Sequence, residues 1–105
     1  MDSKVVLAPG EQSVVASDLS VRFLEVVGDS RCPGDALCIT GGDAIVRVDV
    51  TAGEINATRD LHTGVTQPVT VDGVRIELLQ LDPYPFSSRP PIEPADYRAT
   101  LRVVR

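Results

Sequence analysis

Ala44-Ile45-Val46-Arg47-Val48-Asp49-Val50-Thr51 decides the fold. Ala44, Val46, Val48 and Val50 fall on one side of an extended chain, and Ile45, Arg47, Asp49 and Thr51 fall on the other. Such a period of two marks a strand with one buried face. Ala52-Gly53 reads as a two-residue turn, and Glu54–Leu61 returns with Ile55, Ala57 and Leu61 on one face. The pair is therefore expected to form a hairpin.

The same reading extends in both directions. Gln67–Val71 and Val74–Leu81 flank Asp72-Gly73, a pair that tolerates the positive φ of a type I′ turn. Val74, Ile76 and Leu78 oppose Arg75 and Glu77, and Tyr97, Ala99, Leu101 and Val103 alternate with Arg98, Thr100 and Arg102. Towards the N-terminus, Lys4–Ala8 and Gln12–Ala16 are short apolar runs split by Pro9-Gly10-Glu11. Leu19–Val27 places Val21, Phe23 and Val27 on one face and Leu24 and Val26 on the other. Asp82–Asp96 holds five of the eight prolines and cannot be a central strand, because proline lacks the ladder donor. A helix around Ala95–Thr100 is the one competing element, and period two fits that stretch better.

These segments predict an all-β chain: an antiparallel β-sandwich of immunoglobulin-like architecture with seven or eight strands, or a small barrel. At 105 residues the chain reads as one domain, 1–105. Apolar residues make up 43% and aromatics only 4%, so the core is to come from Val, Ile and Leu. The net charge of −5 opposes phosphate-backbone binding, which needs clustered Lys and Arg, and nucleic acid is not expected as a partner. No apolar run approaches the roughly 20 residues of a transmembrane helix.

Cys32 and Cys38 bracket Pro33-Gly34-Asp35-Ala36-Leu37, a turn-forming stretch short enough for the two sulfurs to meet. A structural disulfide is the expected reading, worth about 2 kcal/mol in the chain-entropy model; free thiols are the alternative. Zinc wants four Cys or His ligands and finds only His62 beyond the pair. Redox pairs favour Cys-x-x-Cys spacing. Stable disulfides belong to oxidising compartments, so the expected location is extracytoplasmic: secreted, periplasmic or lipid-anchored with an export signal removed. Val5–Gly10 is too short for the apolar part of such a signal.

Asp29-Ser30-Arg31-Cys32-Pro33, then Cys38 and Gly42-Asp43-Ala44-Ile45-Val46, resemble a group of small bacterial secreted or lipoprotein-type domains of unknown function. The resemblance continues at Leu81-Asp82-Pro83-Tyr84-Pro85 and at Asp96–Leu101, covering about Phe23 to Val103. It implies export and a disulfide, and no activity.

Three candidate sites follow. Asp29, Asp35 and Asp43 lie in or beside the cysteine loop and are weighed as a calcium site, against ordinary turn chemistry. Asp29 and Arg31 also suit a structural knot, since a guanidinium fork matches a carboxylate or several carbonyls. Tyr84, Phe86 and Arg89 stand among prolines and are the candidate partner-binding residues, because aromatics and Arg anchor interfaces; the alternative is a plug for the open end of the sandwich. His62 lacks a Gly-x-Ser-x-Gly partner and is expected to be solvated or locally bonded, so a hydrolase is the least expected function. The leading expectation is a non-enzymatic module that binds a protein partner or serves a cell-surface assembly. A strand-donating filament subunit, in which Lys4–Ala16 pairs with a neighbour, and a calcium-stabilised adhesion-type domain are the alternatives.

Overall fold

The computed structural model of the chain describes residues 2–32, 42–63, 68–86 and 90–105. They form eight strands: β1 (Asp2–Leu7), β2 (Gln12–Ala16), β3 (Leu19–Asp29), β4 (Ala44–Ala52), β5 (Ile55–His62), β6 (Val69–Val71), β7 (Val74–Asp82) and β8 (Arg98–Val104), with a 3-10 turn at Pro94–Asp96. All pairings are antiparallel. One sheet has the order β1-β8-β7-β6 and the other β2-β3-β4-β5. The sheets stay open, so the sandwich is realised and the barrel is not.

Alternation is carried into packing. Val46, Val48, Val50 and Ala44 of β4 are fully buried, and so are Val74 and Ile76 of β7 and Ala99, Leu101 and Val103 of β8. Phe23 of β3 is the largest fully buried side chain. The core is built from β-branched and leucine side chains, as the composition requires.

Turn chemistry sets the registers. Val71 pairs with Val74, and Asp72 and Gly73 between them take φ of +48° and +78°, the double positive φ of a type I′ turn. The β4–β5 turn is displaced by one residue from its expected position. Ala52 pairs with Ile55, so the turn is Gly53-Glu54. Gly53, at φ +61°, takes the first position, where a primed hairpin turn demands positive φ.

Two inward expectations are corrected. Val27 is 43% exposed. Bulges between Phe23 and Glu25 and between Val26 and Gly28 insert extra residues into β3, and each reverses the side-chain parity beyond it. Val26 turns towards the core instead. Ile55 is 46% exposed while Leu61 is buried, because β5 is an edge strand with a neighbour on one side only.

The two N-terminal strands part company. Pro9-Gly10-Glu11 carries the chain from the β1 sheet to the β2 sheet, and the crossing is fixed by backbone bonds. Gly10 N–H donates to the Phe23 carbonyl (2.7 Å), and Phe23 N–H donates to the Glu11 carbonyl (3.0 Å). Lys4–Ala16 thus pairs within its own chain, with β8 and with β3.

Replacing Phe23 by Ala is expected to cost about 3–5 kcal/mol, read as a lowered midpoint in urea with unchanged slope.

Candidate functional site

The bulged end of β3 releases Asp29-Ser30-Arg31 where β7 ends and β8 begins. The Arg31 backbone N–H donates to Asp29 Oδ1 (3.2 Å), a local turn of the kind aspartate forms two residues ahead of itself. That turn aims the Arg31 side chain inward, and only 6% of it stays exposed. Its Nε donates to Asp29 Oδ1 and its Nη2 to Asp29 Oδ2, both at 2.8 Å, a bidentate fork. Nη1 donates to the Leu81 carbonyl (2.7 Å), and Nη2 also donates to the Pro83 carbonyl (3.0 Å). From β8's approach, the Tyr97 hydroxyl donates to Asp29 Oδ2 (2.8 Å).

The charges respond to this geometry. Burial pushes the Asp29 carboxyl up. The Arg31 fork, the Tyr97 hydroxyl and the Arg31 backbone outweigh it, and its pKa lies below the ordinary carboxylate value. Burial pulls Arg31 down, but the hydrogen bonds and charge of Asp29 carry it above its usual value. Tyr97 is pushed up to about 12, first by burial and then by its bond to the Asp29 carboxylate, because ionising would place two negative groups together.

Arg31 also organises the proline-rich segment. Its guanidinium carbon lies 5.4 Å from the centre of the Tyr84 ring, and Tyr84 meets Phe86 edge to face, with centroids 6.2 Å apart at 67°. Phe86, Pro90, Pro91 and Ile92, with Asp29, Arg31 and Tyr97 behind them, border a groove of about 340 Å³. Tyr84 is 49% exposed. The structure therefore brings Tyr84 and Phe86 together at one end of the sandwich, with Tyr84 against the Arg31 guanidinium; Arg89 lies outside the described residues.

Of the calcium candidates, Asp29 and Asp43 are each engaged by their own neighbours. Asp29 has both oxygens engaged by Arg31 and Tyr97. Asp43 Oδ2 faces His62 Nδ1 at 2.6 Å, and its Oδ1 accepts from Thr63 Oγ1 (3.4 Å). Asp35 lies outside the described residues, as does Cys38, so the Cys32–Cys38 pairing does too. Among the described residues no three His, Cys, Asp or Glu side chains form a group able to hold a metal ion. His62 is locally bonded, as the sequence suggests. Ser30, the nearby hydroxyl, donates to the Asp43 carbonyl (2.8 Å).

Sequence reasoning found the Asp29–Arg31 pair and missed three partners, Tyr97 and the Leu81 and Pro83 carbonyls. Carbonyls leave no mark in a sequence. Tyr97 left one: a hydroxylated ring at an inward strand position needs a buried acceptor. Comparison of the chain with protein-family models, curated proteins and solved structures gives no match.

Replacing Arg31 by Met takes the charged partner from Asp29 and a donor from each of two carbonyls, and is expected to destabilise the fold by about 3 kcal/mol in a denaturant titration. Two pH limbs are also expected. The lowered Asp29 pKa gives stability that is complete above the ordinary carboxylate value of 3.8 and lost as pH falls through the folded value. The raised Tyr97 pKa gives stability complete below 10.0 and lost as pH rises towards about 12. Tyr97→Phe should flatten the alkaline limb in thermal melts from pH 9 to 12, and an unchanged limb would refute the assignment.

Proposed function

We propose that this chain is a non-enzymatic, extracytoplasmic β-sandwich module that binds a protein partner through the end bearing Tyr84 and Phe86. The observation that carries the reading is an exposed aromatic clamped by a buried cation: Tyr84 keeps 49% of its surface in solvent while Arg31 stacks on its ring. Aromatics anchor interfaces because they bury much surface with few rotatable bonds. Fixing the ring beforehand lowers the entropy lost on binding. Arg89 joins the surface on sequence grounds alone.

The extracytoplasmic part rests on the short Cys32–Cys38 spacing and on the resemblance to secreted domains. Self-association by strand donation has less support, since β1 and β2 are paired within their own chain.

Two measurements test the reading. A photo-crosslinking residue at position 84 should capture a partner from the native cell envelope, one at Val14 should not, and Phe86→Ala should lower capture at least tenfold with the melting temperature unchanged. Equal capture at both positions would dismiss the surface. Alkylation under denaturing conditions should label neither cysteine before reduction and both after it; free labelling beforehand would remove the case for an oxidising compartment.

A further inference from the structure

The proline-rich end holds a second concavity, on the side away from Asp29. It measures about 300 Å³, and its lining includes Tyr84, Phe86, Pro91 and Ile92 together with Glu93 and Asp96. The rings and prolines make it largely apolar, and both carboxylates are exposed, Glu93 capping the 3-10 turn and Asp96 ending it. The described ion pairs are Arg31–Asp29, Arg47 with Asp60 and Glu25, His62–Asp43, Arg102–Asp2 and Arg105–Asp18. Glu93 and Asp96 belong to none of them. Arg98, beside this turn, spends its Nη1 on the Ala95 and Tyr97 carbonyls. Arg31, behind Tyr84, is neutralised by Asp29.

A pocket lined by aromatics, prolines and two carboxylates without a described cationic partner is chemistry suited to a cation on an apolar stem. Ring faces attract cations, carboxylates pair with them, and the methylenes of Arg or Lys pack on apolar walls. From this charge complementarity we infer that the pocket takes an arginine or lysine side chain from a basic, extended segment of the partner protein. The inference rests on the proposed function and specifies the partner as locally basic. The net charge of −5 favours the same encounter at long range.

The probe is an acetylated, amidated tetra-arginine peptide, titrated into the whole chain and followed by amide chemical shifts in 50 mM and 150 mM salt. Shifts should concentrate at residues 84–86 and 91–97. Glu93→Gln with Asp96→Asn should weaken binding about fivefold or more, a loss of the order expected for two partly exposed charge contacts. Glu54→Gln with Asp72→Asn, acidic positions at the far turns, should leave it unchanged. Equal weakening by both pairs, shifts spread over all acidic surfaces, or no saturable binding would overturn the inference. Because this readout needs no natural partner, it separates the two readings. Partner capture at position 84 that survives loss of Glu93 and Asp96 charge would keep the surface and discard the cationic ligand.

Discussion

A guanidinium withdrawn from water must be met by acceptors on several sides, and that requirement governs one whole end of this molecule. Arg31 follows β3, in the β2-β3-β4-β5 sheet. Its acceptors Leu81 and Pro83 are at the end of β7, in the other sheet, and Tyr97, which completes Asp29, precedes β8 in that same sheet. Satisfying one side chain therefore stitches both layers at a point where the apolar interior runs out. Such a buried pair contributes little net stability, because desolvation opposes it, but breaking it is costly. What it joins are three strand ends: those of β3 and β7 and the start of β8. The opposite end carries a weaker counterpart. Arg105, beyond β8, pairs with Asp18 in the β2–β3 turn, and both side chains are well exposed, so solvent screens the link.

The interior was legible in the sequence because period two states both element and face. Val74, Ile76, Leu101 and Val103 point inward as their alternation says, and Asp72-Gly73 names its own turn. The reading slipped where local geometry adds a residue. Nothing in Leu24-Glu25-Val26-Val27-Gly28 shows that two bulges intervene, so counting by twos from Phe23 sends Val27 to the wrong side. Likewise Ala52-Gly53-Glu54 offers two two-residue turns, and only the need for a positive φ at the first position chooses Gly53. The site itself is more local: Asp29 meets Arg31 two residues on, through a turn and a fork.

The knot was half legible. A carboxylate two residues before an arginine suggests a local bond, and the fork is there. Long-range acceptors that are backbone carbonyls, 50 and 52 residues away, have no sequence signal at all. A triad of aspartates in one loop suggested a cation. Two of the three are answered by neighbouring side chains: Asp29 by Arg31 and Tyr97, Asp43 by His62 and Thr63. Adjacent strand ends can send neighbouring carboxylates to separate partners, and Asp35, the third, lies outside the described residues.

Burying the arginine also decides what remains outside. With its charge spent on Asp29 and its hydrogens on carbonyls, Arg31 still lies against the Tyr84 ring, which is held without being covered. A tyrosine packed wholly into the core would add stability and no surface. A tyrosine free on a loop would give surface at a high entropic cost of ordering. The observed compromise, an aromatic seated on a buried cation among prolines, presents apolar area in a set orientation, which lowers the entropy any contact with it would cost.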